Sequence, residues 1–279
     1  MHRFDYSFLS EGMIPAKFVN FTSGISALGT SAKQLEKEYP EIFSGLLKTS
    51  KINSVRCSNA IEGIVTSDER IAGIVSGKIS PSGHDEAEIA GYRDALSLIH
   101  TNYKELDMRV GDILMLHETM MKPAGNEYGG VFKNTDNLIL ETDSDGNRSV
   151  RFRPVSAADT PKAMEQLELA YIEASCDSNI NGLLLIPCVI LDLLCIHPFK
   201  DGNGRISRLM TLLLLYKNGH DVCRYVSLEE MILKYKDFYY KSLGQSSEGW
   251  ENNENSYFPF MQNFLSMLYM CYKELDGRF

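Results

Sequence analysis

Residues 195–211 read CIHPFKDGNGRISRLMT, and the architecture of the chain follows from what lies on either side of them. Upstream, residues 182–196 form an apolar run, GLLLIPCVILDLLCI, interrupted by Pro187 and Asp192. The run falls short of the ~20 residues that a membrane span needs, so it predicts a helix buried in a protein core. Pro198 disfavours helical geometry at His197 and ends that helix there. Downstream, Ile206, Leu209, Met210, Leu212 and Leu213 are placed to point inward from a second helix that begins near Gly204.

Most of the remaining sequence has the same helical rhythm. Apolar residues at 42, 43, 46, 47, 52, 55 and 61 make one stripe, and Gly63 follows as a stop because glycine accepts a left-handed cap. Ser67 before Asp68 and Glu69 suits an N-cap, with a short helix to Gly77 and a loop over residues 78–83. Further helices are expected near 85–100, 111–121, 160–175, 181–196, 204–218, 227–243 and 257–275. The Gly/Ser-containing stretch at 22–31 reads as an early linker. One segment departs from the pattern: Leu138, Ile139 and Leu140 run into DSDGN at 143–147, and an apolar stretch at 150–152 follows. This is a hairpin signal whose turn type stays open, because the loop exceeds two residues. An isolated hairpin is not stable alone and must lie against the helical body. The expected fold is all-α, a helical bundle with one β-hairpin. Residues 1–100 would form an N-terminal helical region and 101–279 the core with C-terminal helices, packed as one unit.

The 279 residues correspond to one large domain or two small ones at the usual ~150 residues each. With 44% hydrophobic and 23% charged residues, the composition excludes disordered and low-complexity classes. The net charge of −9 argues against a general binder of nucleic acid or anionic membranes, while leaving room for a local basic pocket. The N-terminal MHRFDYSFLSEGM has no continuous apolar core of the signal-peptide kind. Six cysteines include no CxxC pair, and Cys188 and Cys195, one heptad apart, read as small core hydrophobes. The expected setting is reducing and cytoplasmic.

The stretch at 195–211 also carries chemistry. Gly202 and Gly204 flank Asn203 and allow a tight loop whose amides can approach a ligand closely. A glycine loop feeding a helix N-terminus is an anion site, through its unpaired N–H groups and the positive end of the macrodipole. Arg205 and Arg208 are spaced to face one polyphosphate. Asp201 offers a hard oxygen ligand of the kind Mg²⁺ takes beside nucleotide phosphates, and His197 a base near neutrality. A lone His-Pro is usually a helix stop and a lone GNG a turn; the ordered combination is what points to transfer from a metal-bound nucleotide to a hydroxyl.

HPFKDGNGRISR resembles in full the signature HPFx[DE]GNGRxxR of Fic-domain proteins, which mostly transfer AMP from ATP onto protein hydroxyls. The resemblance implies a Fic-type helical bundle with a β-hairpin flap. It implies His197 as the base toward a target Tyr, Thr or Ser, and Asp201 as the Mg²⁺ ligand. Gly202, Asn203, Gly204 and Arg205 would lie on phosphate, and Arg208 on the γ-phosphate. Phe199 would be a buried anchor. The stretch from Gly130 to Leu140 resembles the segment entering the family's flap, with Leu138, Ile139 and Leu140 expected to contact an extended target by strand addition; a hairpin that merely caps the core is the equal alternative. Lys133 stands where arginine is common in the family. Tyr239-Tyr240 followed by Leu243 resembles a YYxxL helix beside the adenine, which makes Tyr240 a candidate base contact.

Ser58-Asn59-Ala60-Ile61-Glu62-Gly63 matches the family's inhibitory pattern [ST]xxxE[GN]. Alone, such a glutamate is usually solvated. Beside the signature, it implies an N-terminal inhibitory helix whose Glu62 pairs with Arg208 and takes that arginine from the γ-phosphate. The implied partners are a hydroxyl-bearing protein target and the chain itself by self-modification, with a homodimer compatible and neither nucleic acid nor membrane expected. The rival expectations are another nucleotide donor on the same fold, removal of AMP, and a non-enzymatic ATP-binding interaction module. Gly204 argues against kinase-type relatives, which carry lysine there.

Overall fold

The structure, a computed structural model, describes residues 2–142 and 148–279. The chain order is α1 (Phe8–Glu11), α2 (Ala16–Glu38), α3 (Pro40–Ile61), α4 (Asp68–Val75), α5 (Gly83–Asn102), α6 (Val110–Met121), β1 (Ile139–Thr142), β2 (Arg148–Phe152), α7 (Thr160–Cys176), α8 (Gly182–Ile196), α9 (Asn203–Lys217), α10 (Leu228–Lys234), α11 (Lys236–Ser247) and α12 (Phe258–Asp276). The fold is helical, with one antiparallel pair of strands among the described residues. Ile139 pairs with Phe152 and Leu140 with Val150, with an irregularity between Ile139 and Leu140. The expected DSDGN turn lies outside the described residues.

Helices α8 and α9 are the centre of the molecule. Every α8 residue after Gly182 is buried, and so are Ile206, Leu209, Met210, Leu212 and Leu213 of α9. Helices α7 and α12 pack on α8, and α5 packs on α9. Outside these, α2 lies along α12 and α3 along α10. Cys188 and Cys195 are buried free thiols.

Asp192, which interrupts the apolar run, has a structural use. Its carboxylate accepts from Tyr6 Oη at 2.6 Å, Trp250 Nε1 at 2.7 Å and Tyr257 Oη at 3.0 Å. Burial still pushes its pKa up to about 7, against those donors. His2 stacks on Trp250, so the N-terminal residues are tied to the core helix and the segment before α12.

Three expectations change. Residues 22–31 are no linker: α2 runs through them. Gly24 and Gly29 face Tyr269 and Tyr272; a Cβ would stand 3.2 Å from the Tyr269 ring and 3.3 Å from the Tyr272 hydroxyl, so these glycines let α2 approach α12 closely. The single helix at 227–243 is two, broken at Tyr235. The helix after Ser67 ends at Val75 rather than Gly77, and Ser67 does cap it by accepting from the Arg70 amide. Among the described residues, no helix is long and apolar enough to cross a membrane.

Candidate active site

The loop between α8 and α9 is closed by its own residues. Asn203 Oδ1 accepts from the Phe199 amide at 2.9 Å, and its Nδ2 donates to the Phe199 carbonyl at 2.8 Å. The side chain of Asn203 is therefore a buckle, and only its backbone is free to face a ligand. Phe199 is fully buried and stacks on His117 at 3.7 Å. Gly202 has φ +81°, and a Cβ there would stand 2.8 Å from Met120 Cε. The left-handed φ is what calls for glycine, since the Met120 methyl is the tip of a flexible side chain and can shift.

His197 caps α8 in the left-handed region, at φ 52° and ψ 61°. Pro198 ends the helix where expected, but the backbone turns left-handed rather than extended, at a strain of about 1–3 kcal/mol for a non-glycine residue. Its Nδ1 lies 3.3 Å from the Leu194 carbonyl, which can only accept, so Nδ1 carries the proton and Nε2 keeps its lone pair. Burial pushes the pKa down to about 4; the Leu194 carbonyl, Glu62 and Asp201 oppose this, and Lys133 adds to it. The imidazole is neutral at pH 7, the form that can take a proton.

The two arginines of α9 part company. Arg205, 1% exposed, donates to Glu88 Oε2 on α5 at 3.1 Å and to Asp201 Oδ2 at 3.4 Å. It ties α9 to α5. Arg208, 3% exposed, turns to α3: Nε donates to Ser58 Oγ at 2.9 Å, and Nη2 donates to the Ser58 carbonyl at 3.0 Å and Glu62 Oε1 at 2.7 Å. Glu62 is presented by the end of α3. Gly63, at φ +83°, and Ile64 donate back to Ala60 and Asn59, a Schellman ending that leaves Glu62 at the helix tip. Lys236 Nζ donates to the Ile61 carbonyl at 2.8 Å and holds that tip against α11. Glu62 Oε1 lies where a Cβ on any other residue at 204 would clash. The carboxylate thus sits against the N-terminal turn of α9, where unpaired amides and the helix dipole favour a negative charge.

His197, Gly204 and Glu62 border a cavity of about 330 Å³, within the range of small-molecule sites. Its other walls include Leu138, Ile139, Arg151, Phe152, Tyr240 and Leu243. The hairpin and α11 therefore face each other across it, and Arg151 Nη2 donates to the Tyr240 carbonyl at 2.7 Å to join them. Leu138 and Leu140 are 48% and 50% exposed, and Ile139 is half-buried. Asp201 is exposed, with Oδ1 accepting from the Gly202 amide. One accessible carboxylate fits Mg²⁺ of the kind that binds mainly through substrate phosphates and water. No cluster of three or more His, Cys, Asp or Glu that could cage a metal occurs among the described residues.

Residue spacing did not reveal the Glu88 partner of Arg205, the Asn203 buckle or the hold of Lys133 on the loop. Lys133 Nζ donates to the Ile196 carbonyl at 3.1 Å, and its amide to the Pro198 carbonyl at 2.9 Å. Only the departure from arginine at 133 pointed to that position.

The site thus joins a cavity of about 330 Å³, a loop at a helix N-terminus and a neutral imidazole within a helical body. Residues 107–215 match the Fic/DOC family. It is 22% identical over 210 residues to a protein adenylyltransferase Fic of Nematostella vectensis, covering 73% of this chain and 45% of that protein. It is 28% identical over 168 residues to the protein adenylyltransferase fic-1 of Caenorhabditis elegans, covering 57% and 30%. The chain thus spans less than half the length of these curated relatives. A Fic family protein from Desulfovibrio desulfuricans has the same fold, with a TM-score of 0.79 at 21% identity over 95% of this chain and 76% of that one. A Fic-domain signalling protein from Bacteroides thetaiotaomicron aligns with a TM-score of 0.70 at 21% identity, over 91% and 98%.

Proposed function

We propose that this chain is a protein adenylyltransferase that moves AMP from ATP to a Tyr, Thr or Ser hydroxyl of a protein, itself included, and that Glu62 restrains it. The observation that carries the reading is the shared occupancy of Arg208: the arginine spaced to grip a polyphosphate tail is bonded instead to Glu62 at 2.7 Å, at the edge of the His197 cavity. In the step itself, His197 Nε2 takes the target hydroxyl proton. The hydroxyl oxygen bonds to the α-phosphorus, the α–β bridging P–O bond breaks, and pyrophosphate leaves with the electron pair. Positioning and charge stabilisation do most of the work. The amides of Gly202, Asn203 and Gly204 would approach the phosphates, and Tyr240 would lie beside the base. Arg205, tied to Glu88, would act mainly by aligning the loop. Asp201 would hold Mg²⁺, which offsets phosphate charge when bound. Leu138, Ile139 and Leu140 would receive an extended target segment along β1. With Glu62 in place, ATP can enter, but the γ-phosphate is denied Arg208 and the α-phosphorus is turned out of line. This assigns α3 the role of an N-terminal inhibitory helix. The tight packing of α2 and α3 on α12 and α10 supports one structural unit rather than separable halves.

The test is intact-mass measurement after incubation with Mg²⁺ and ATP, GTP, CTP or UTP separately, for the native chain, Glu62→Gly and the Glu62→Gly/His197→Ala double variant. The expected result is an AMP adduct, with ATP alone, that grows in Glu62→Gly and vanishes with His197. An adduct from another nucleotide would move the donor. No adduct on the chain or on added protein substrates, even without Glu62, would leave an ATP-binding module.

A further inference from the structure

The loop that carries His197 is held from outside by the segment leading into the hairpin. Four of its carbonyls have partners there or just behind it. Lys133 Nζ bonds the Ile196 carbonyl and the Lys133 amide bonds that of Pro198, so one residue grips the chain on both sides of His197. Asn137 Oδ1 accepts from Lys133 Nζ at 2.9 Å, and Asn137 Nδ2 donates to the Phe199 carbonyl at 3.3 Å. His117 lies opposite the Asp201 carbonyl at 3.0 Å through Nε2 and accepts from the Gly130 amide through Nδ1 at 3.0 Å. Those two partners fix its tautomer as Nε2–H. Lys133 is buried, although its Nζ meets only uncharged oxygens.

This placement is costly in two ways unless it has a use. A buried ammonium with no carboxylate in hydrogen-bond contact is disfavoured, and burial pushes the pKa of Lys133 down to about 8 although the charge of Asp136 opposes it. The His197 backbone is also strained in the left-handed region, a state that persists only where the surroundings over-determine it. The carbonyls at the end of α8 have no partners within the helix, and a cation is favoured there. Lys133 meets that need while fixing both peptide groups that bracket the strained residue.

We infer that Lys133, with Asn137, is the positioning residue for His197: the segment 130–137 straps the loop so that the imidazole presents its Nε2 to the cavity. The inference rests on the proposed function for what His197 does, but not for the strap itself. Lys133 touches no reacting atom; it acts through the backbone at 196–198. The same strap joins the flap to the base, so a target segment laid along β1 is registered against His197 by a span of a few residues.

Two measurements separate the strap from the activity. Long-range ¹⁵N–¹H imidazole spectra of the native chain are expected to show His197 as a single Nδ1–H tautomer, and Lys133→Met to give an averaged signal. In the Glu62→Gly background, Lys133→Met is expected to lower kcat for AMP transfer at least tenfold with KM for ATP unchanged within about twofold, and Lys133→Arg to restore it, because arginine also supplies cationic N–H donors to the carbonyl. A single Nδ1–H tautomer in Lys133→Met would overturn the strap whatever the activity. So would an unchanged kcat in an active Glu62→Gly parent. A Glu62→Gly parent with no transfer would count against the function alone, and the tautomer spectrum would still decide the strap. Should Lys133→Met not fold, Asn137→Ala decides on both readouts: an averaged tautomer with lowered kcat supports the strap, and native values of both overturn it.

Discussion

The loop after α8 and the Glu62 side chain meet at the same cavity but are held in opposite ways. The loop at 196–203 is bound along its length, by the Asn203 buckle, the Lys133 and Asn137 strap, and His117 behind Asp201. Glu62 meets the catalytic side through one carboxylate oxygen on Arg208 and keeps 32% of its side chain exposed. A many-point hold fixes geometry, whereas a single charge-assisted contact can be exchanged for a phosphate oxygen at little cost to the fold. On the proposed function, that difference is the one expected between catalytic machinery and a releasable brake.

That contrast can be broken on either side. The largest effect should come from His197→Ala: in the Glu62→Gly background, radiolabel transfer from ATP should fall by about 10²–10⁴-fold, the usual worth of a positioned base, while ATP affinity stays near native. Retained transfer would remove His197 from the mechanism. Next, Glu62→Gly alone should raise transfer about 10- to 150-fold, as expected for loss of a charge-assisted contact of about 1.5–3 kcal/mol. Equal labelling of both proteins under matched Mg-ATP would refute the brake.

Arg205→Ala sharpens the comparison of the two arginines. It leaves buried Glu88 with only His84 Nε2 beside it at 3.3 Å, so urea unfolding should show a loss of about 2–4 kcal/mol. Ser58→Ala, by contrast, removes one hydrogen bond from Arg208 and should cost only about 1 kcal/mol while raising basal transfer modestly. A reversed order of stabilities would mean that Arg205 is not the scaffold residue. The pH dependence is the mildest test. As the proposed base, His197 would act when neutral, and burial depresses its pKa to about 4, so it stays neutral as pH falls through the ordinary value of 6.5. The acid limb of kcat/KM in Glu62→Gly should therefore lie well below pH 6.5; a limb at 6.5 would indicate a solvated imidazole.

Much of this was legible in the sequence, for reasons of range. The loop signals are local: Pro198 beside His197, and two glycines around Asn203, constrain the backbone within a few residues. The hairpin showed as a change of period, and most helices as apolar stripes. Glu62 and Arg208 lie 146 positions apart, and only the resemblance joined them. What stayed hidden depends on three-dimensional partners that spacing does not encode. Glu88 lies 117 residues from Arg205, and Lys133 lies 63 from Ile196. Gly24 and Gly29 read as linker residues because the rings that pack on them belong to α12, at the other end of the chain. Asp192 read as a flaw in an apolar run until Tyr6, Trp250 and Tyr257 supplied its donors.

The competition for Arg208 is tested most directly by calorimetric affinities for ATP and ADP, each with Mg²⁺, in the native chain and in Glu62→Gly. With Glu62 on Arg208, the γ-phosphate gains nothing, and the two nucleotides should bind alike. With Glu62 removed, ATP should bind tighter than ADP by about tenfold or more, the worth of one charge-assisted arginine–phosphate contact. The same ATP-to-ADP ratio in both proteins would contradict it.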